Sequence, residues 1–510
     1  MLIRGTLRLL GCVVAVLLLV AVVPSDAGAA WSAPQTVFTA GAVSELLAPS
    51  VARDAAGDAV AVWNRSTFGE GESNAVEAAI ERAGGSWSAP LRLSLGSIGI
   101  GDPEVVMDSR GEATVVWEQS TVAGKPGTKR RSFRSLVEAR SHRANGGWGR
   151  TVVLASSQLP PQDVEEHAPD PQLAVDGRGD VTVAFNMRER NATPVNGKED
   201  ILLFTRRDGR WRKPMVVAHT VNNAEMRLAV DGRGEALVAW NHGGPSGSRE
   251  AWVQALVIAH NGKPEGPAQR LSAKSKTSYA LDLAVNSHGG AVLTWSQELP
   301  EGEGYGPVEV ATRPASRRFT TKPVTLVRKS VPAVAAINQQ GTATVLFGRS
   351  IPSKGPEQEE DGPLEAVAHP ADASWRKPEM VSPEGIPQAM TCGPYGELVA
   401  LWEADLPLSV KPPERHRVID ASIQPAGGAW QPPETVSPEN TFEDASGLAL
   451  AANGQVTAIW VRGPISGTRL IETAEYEPDL VELSRRSVGG INRGDVVARG
   501  LRLGEVWGER

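Results

Sequence analysis

The chain has 510 residues, is 41% hydrophobic and 22% charged, and carries a formal net charge of −7. That composition supports a large buried core and excludes a disordered chain. A net-negative chain with no long basic stripe outside one loop also excludes nonspecific nucleic-acid binding, which needs Lys and Arg to neutralise phosphates.

At the start of the chain, Arg4 and Arg8 flank the apolar run Leu9–Val23, and Ala27-Gly28-Ala29 offers small residues for cleavage before Ala30. Residues 1–29 read as a secretory signal, which predicts a secreted or cell-surface protein. The run is shorter than the ~20 apolar residues of a bilayer crossing. No stable membrane span is therefore expected once the segment is cleaved; retention as an N-terminal anchor is the alternative. Removing it takes away Cys12 and leaves Cys392, so no intramolecular disulfide can form. Cys392 reads as a small core residue.

From residue 31 onward two motifs alternate. The first is Asp or Asn, two residues, Gly, then alternating apolar residues ending in an aromatic. It occurs as Asp54…Gly57…Trp63, Asp108…Gly111…Trp117, Asp176…Gly179…Phe185 and Asp231…Gly234…Trp240, then as Asn286…Gly289…Trp295 and Asn338…Gly341…Phe347. Weaker copies follow at Gly393…Gly396…Trp402 and Ala451…Gly454…Trp460. The second motif, Trp-x-x-Pro, falls between them at Trp31, Trp87, Trp211, Trp375 and Trp430, with Trp148 lacking the Pro. Together the motifs hold 12 of the 14 Trp residues, so one repeat of about 55 residues organises the chain.

Each repeat reads as four strands. A short inner strand such as Pro171–Val175 meets an Asp-x-x-Gly turn, in which Gly accepts positive φ and Asp bonds its own backbone. An alternating strand such as Asp180–Phe185 follows, then a long variable loop, a third strand, a tight Gly turn, and a fourth strand carrying Trp-x-x-Pro. Trp31…Pro34 is a fourth strand with no repeat before it, and the eighth repeat has no fourth strand of its own. The expected fold is therefore an all-β, eight-bladed β-propeller over residues 30–477, its last blade completed by the N-terminal strand, which removes exposed sheet edges. An open β-solenoid is the structural alternative. Residues 478–510 leave the pattern and read as a disordered tail or a fragment of a further β domain.

Over residues 31–477 this pattern resembles exported β-propeller repeat proteins of high-GC, actinobacterial-type bacteria. More distantly it is similar to sialidase-type propellers, whose Asp-box reads Ser-x-Asp-x-Gly-x-x-Trp. Here Gly stands three residues after Asp rather than two, as in Asp176…Gly179, so the match is partial. The resemblance implies an architecture and an extracellular address, and no activity.

Alternating strand direction puts the two short turns of each blade on one rim and the long, irregular loops on the other, so the long-loop rim is the expected functional face. A residue repeated in every blade serves the blade; a site must come from departures. Glu77, Glu138, Gln254, Glu309, Glu365, Asp420 and Glu472 recur at one phase of the third strand and read as structural. Departures occur just after the second-strand aromatic (Glu118, Asn186, Asn241, Glu403) and at the start of the inner strand (Glu104, Arg227, Asp282). These seven are the candidate ligand-binding residues, a polar ring at the channel mouth suited to a cation or a polyhydroxyl ligand. The long loops also differ in charge, with Lys129, Arg130, Arg131 and Arg134 in one and acids over 357–361 in another.

No His-Glu-x-x-His or Gly-x-Ser-x-Gly motif is present, and no cofactor or metal is expected. The leading expectation is an exported, noncatalytic, monomeric propeller that binds a glycan, a cell-wall component or a protein through its long-loop rim. The rivals are a glycoside hydrolase or lyase using Glu104, Glu118, Asp282 or Glu403, and a surface spacer or display module.

Overall fold

A computed structural model describes residues 30–478 apart from 42–43, 68–72, 98, 124–131, 160–169, 189–197, 222–224, 244–250, 274–277, 298–305, 316, 321, 353–358, 372, 407–415, 439–446, 452 and 464–467. The expected signal segment, the tail from 479, and residues 125–131 and 357–358 of the two charged loops lie outside the described residues.

The described chain is all strand, without a helix, arranged as eight antiparallel sheets. Blade 1 shows the pattern: Ser44–Arg53 innermost, then Ala59–Thr67, Ser73–Glu81 and Leu91–Arg92 at the outer edge. Blades 2 to 7 span 99–159, 172–221, 226–270, 278–327, 334–382 and 386–435. Blade 8 has Gly447–Leu450, Val456–Arg462 and Leu470–Glu477 from its own repeat. Its outer strand comes from Ala30–Trp31 and Gln35–Thr39, which pair antiparallel with Leu470–Glu477 in the register Trp31↔Tyr476 and Gln35↔Thr473. The reciprocal gap seen in the sequence is filled in this way, and the ring is closed.

The Asp-x-x-Gly turn forms for the reasons its composition gives. In blade 3, Asp176 Oδ1 accepts the backbone N–H groups of Arg178 and Asp180, each at 2.9 Å, while Gly179 takes φ +86°. The side chain satisfies two amides that a tight turn would leave open, and glycine bears the positive φ without a Cβ clash.

Apolar burial is divided among eight clusters, one at each boundary between neighbouring blades. The second-strand aromatics Trp63, Trp117, Phe185, Trp240, Trp295, Phe347, Trp402 and Trp460 are all fully buried and face the preceding blade. Trp63 packs on Ala449, Ile459, Val461 and Ile471 of blade 8, which makes the closing boundary as dry as the others. Cys392 packs against the cluster between blades 6 and 7. Its burial pushes the thiol up and leaves it unreactive.

Candidate functional site

The inner strands line the channel, and the residue four before each turn motif occupies one level of it. In blades 2 to 5 that level holds Glu104, Gln172, Arg227 and Asp282. In blades 6 to 8 it holds Val334, Ala389 and Gly447, and in blade 1 Ser50. The two sides differ at this level: the residues are polar in blades 2 to 5, while Val334 and Ala389 turn into the apolar clusters against the following blade.

Arg227 lies within electrostatic reach of Glu225, Asp170, Asp282 and Glu104. Arg227 pairs with Glu225 at 3.0 Å and donates to the Met226 carbonyl at 2.9 Å. Sequence reasoning missed Glu225, and its role needs the fold to be seen. Blade 5 carries a bulge between Tyr279 and Asp282, with Ala280 at φ +51°. Glu225 of blade 4 accepts the freed N–H groups of this bulge, Leu281 at 2.8 Å and Ala280 beside it. Burial raises the Glu225 pKa, opposed by Arg227. Asp282 repeats the device one blade on, its Oδ2 accepting Ala335 N–H at 2.7 Å.

The other four nominated residues are separated by blade boundaries. Asn241 Nδ2 donates to the Ser278 carbonyl of the next blade at 2.7 Å, as Asn64 does to Ile100 at 3.0 Å in blade 1. Asn186 Nδ2 donates to Glu199 at 3.2 Å. Glu403 pairs with Arg417 at 2.8 Å. Glu118 is 1% exposed and accepts from the Ser135 and Ser120 hydroxyls at 2.8 and 2.9 Å. Burial raises its pKa to about 7 against these two hydrogen bonds. The structure therefore brings Glu104 and Asp282 within electrostatic reach of Arg227 and gives each of the seven at least one contact within the protein.

The opposite rim holds the features that sequence reasoning missed. In blades 2 to 4 the turn reads Asp-x-Arg-Gly, and each arginine reaches into the next blade. Arg110 donates to the Arg178 carbonyl at 3.4 Å, Arg178 to the Arg233 carbonyl at 2.7 Å, and Arg233 to the His288 carbonyl at 2.7 Å. Ion pairs between neighbouring blades join Glu112 to Arg206, Glu235 to Arg313 at 2.6 Å, and Arg53 to Glu475. The repeat places these partners; their separations in sequence hide them.

Turn contacts show how tightly each boundary closes on this rim. A Cβ added to Gly179 would lie 2.6 Å from Asp108 Oδ2, and one on Gly234 2.6 Å from Asp176 Oδ2. On Gly396 of blade 7 it would meet nothing nearer than 3.6 Å, at Ala426 and Gln340. Blade 7 has Gly393 where the motif has Asp, and the boundary between blades 6 and 7 opens there into a cleft of about 400 Å³. Tyr395 and Trp430 supply aromatic faces, Asn338, Gln340 and Gln424 amides, and Thr342 a hydroxyl. Arg376 and Lys377 stand on its outer wall, and Glu379 is its one acid. The volume falls in the ~300–1,000 Å³ range of small-ligand sites.

Among the described residues, Asp176, Asp180 and His260 come close enough to share a cation. Arg207 Nε lies 3.5 Å from Asp180, and Arg178 Nη1 3.2 Å from His260 Nδ1. One guanidinium group thus already stands beside Asp180 and another beside the imidazole.

No known protein-family model matches the chain, and no curated protein sequence does. Solved structures align at low identity. A protein of unknown function from Dyadobacter fermentans is 11% identical over 87% of this chain and 99% of its own, with a TM-score of 0.42. An ulvan lyase, a polysaccharide lyase, is 12% identical over 89% of this chain and 98% of its own, with a TM-score of 0.42. The NanB sialidase of Streptococcus pneumoniae is 12% identical over 73% and 67%, with a TM-score of 0.38. These likenesses bear on the fold alone. No helix among the described residues is long and apolar enough to cross a membrane.

Proposed function

We propose that this propeller is a noncatalytic saccharide-binding protein that takes sugar units into the cleft between blades 6 and 7. The observation that carries the reading is the lining of that cleft, which combines two aromatic side chains with amides and hydroxyls. Aromatic faces take the C–H faces of sugar rings, and amides satisfy several hydroxyls at once. A single carboxylate, Glu379, supports binding over turnover, because glycoside hydrolysis ordinarily uses a pair. The rim differs from the one favoured by loop length, whose nominated side chains are engaged within the protein. The leader-like segment at 1–29 supports an extracellular setting, and the closed ring a monomer.

The test is a glycan-array screen with the purified chain, followed by titration of the best oligosaccharide into Tyr395→Ala and Gln340→Ala. Both residues are at least partly accessible, so each variant is expected to fold with an unchanged melting temperature. Affinity should fall by about tenfold or more on losing an aromatic platform or an amide contact. Undiminished binding by both folded variants would remove the cleft from consideration.

A further inference from the structure

The arginine row on the same rim points to the charge of the ligand, an inference that rests on the saccharide reading. Arg110, Arg178 and Arg233 hold one position in three successive blades, and all three are exposed. Arg110 and Arg233 are held from below and from the side, and Arg178 by the Arg233 carbonyl and His260. Arg110 Nε donates to Asp108 at 3.0 Å and Arg233 Nε lies 3.4 Å from Asp231 Oδ2, both carboxylates being buried. The carbonyl of the next turn fixes the other end of each guanidinium. The side chains of Arg110 and Arg233 are nevertheless 71% and 59% exposed, so their outer N–H groups face solvent in a fixed orientation. The adjacent third-to-fourth-strand turns add exposed Arg143, Lys263 and Arg318, the last leaning over Gly266 of the preceding blade.

This is an arc of cations, one blade apart, on a chain whose net charge is −7. Four acids on this rim are already paired, and two more, Asp208 and Glu265, stand exposed in the neighbouring turns. Asp58, Glu112, Asp180 and Glu235 are engaged by a second set, Arg82, Arg206, Arg207 and Arg313. Pre-oriented guanidinium groups lose little side-chain entropy on meeting an anion, and their planar fork suits carboxylate, sulfate or phosphate oxygens. The arc runs from blade 2 to blade 4 toward the cleft at blades 6 and 7, where Arg376 and Lys377 continue the same charge.

We infer that the short-turn rim binds an acidic polysaccharide. Its charged groups lie along Arg110, Arg178 and Arg233, and one of its sugar units occupies the cleft.

The experiment compares dextran sulfate, unmodified dextran oligosaccharide and a single-stranded DNA oligomer as probes of the full chain over a salt series. The wild type should prefer dextran sulfate to dextran and lose about tenfold or more in affinity between about 50 and 200 mM salt. Arg110→Gln/Arg178→Gln/Arg233→Gln should weaken dextran sulfate about tenfold or more and make the log–log salt slope shallower by about 2. Because those arginines also tie blades together, Arg143→Gln/Arg318→Gln serves as a second variant outside the ties and should move in the same direction. Equal dextran sulfate binding by wild type and by the folded variants would overturn the proposal. DNA held more tightly than dextran sulfate through the same arginines would overturn the saccharide assignment. Tyr395→Ala separates the two readings. If it leaves neutral oligosaccharide binding intact while the arginine dependence persists, the cleft fails and the charged arc stands.

Discussion

The tryptophans of the second strand meet a specific residue across the sheet. Trp63 Nε1 donates to Glu77 at 3.3 Å, Trp295 to Glu309 at 3.0 Å and Trp460 to Glu472 at 3.3 Å. Three of the acids that recur at one phase of the third strand, Glu77, Glu309 and Glu472, are thus acceptors for buried indoles, whereas Glu365 stands opposite Phe347 and accepts from Arg349. Blade 3 shows the converse, since Phe185 has no N–H and the residue opposite it is Leu202. Glu309→Leu should cost about 1–3 kcal/mol by leaving a buried donor unpaired. Trp295→Phe/Glu309→Leu, which copies blade 3, should recover part of that loss, with a coupling of about 0.5 kcal/mol or more in a double-mutant cycle by urea denaturation. Strict additivity would contradict the pairing. Glu118 gives a second prediction. Its folded pKa of about 7 lies above the ordinary 4.5, so the folded state binds the proton more tightly than the unfolded chain. The stabilisation from this group is full below about pH 4.5, is lost as pH rises through 7, and is on the order of 3 kcal/mol. Glu118→Gln should flatten the stability profile between about pH 5 and 8, and an unchanged slope in thermal melts would refute the assignment.

At the level of strands and turns, the pattern was legible wherever it was local. The Asp-x-x-Gly turn and the alternating strand after it follow from adjacent residues, and both form as expected in blade 3. What the sequence concealed is contact between repeats. The arginine of Asp176-Gly-Arg-Gly179 stood in view, but its acceptor, the Arg233 carbonyl, is 55 residues away and comes near only in a closed ring. Loop length directed attention to one rim, because it says nothing about how firmly the short turns of neighbouring blades press together. The one visible sign of the cleft was a worn repeat, Gly393-Pro-Tyr-Gly396, which lacks the turn-forming Asp. The difference in closeness is measurable. Gly234 and Gly396 have similar φ, +82° and +91°, so alanine strains the backbone alike at both. At Gly234 the added methyl also meets Asp176 and His260, whereas at Gly396 it has space. Gly234→Ala should therefore be the more destabilising of the two by about 1 kcal/mol or more. Equal losses would mean that the two boundaries are equally tight.

For the whole molecule, closure depends on hydrogen bonds between distant parts of the chain. Residues 35–39 pair with 470–473, Val37 fills the cluster between blades 8 and 1, and Arg53 bonds Thr457 at 2.7 Å across the same boundary. Deleting residues 30–40 should bare the edge of Leu470–Glu477 and expose part of that cluster. The expected result is a melting temperature lower by about 10 °C or more, with dimers or larger species in size-exclusion chromatography, as unpaired edges seek partners. A monomer of unchanged stability would show that the closing strand contributes little.

A circle also imposes a condition that an open stack of sheets would escape. The angles between successive blades must add up to one full turn, so any widening beside Tyr395 has to be offset at the remaining boundaries. Substances that pry the gap there further apart must compress packing across the axis, where Phe185 lies in the cluster between blades 2 and 3 and Trp117 in the one beside it. Trimming either ring would give slack to the whole circumference. A guest at blades 6 and 7 would then feel the change without any of its own contacts being altered.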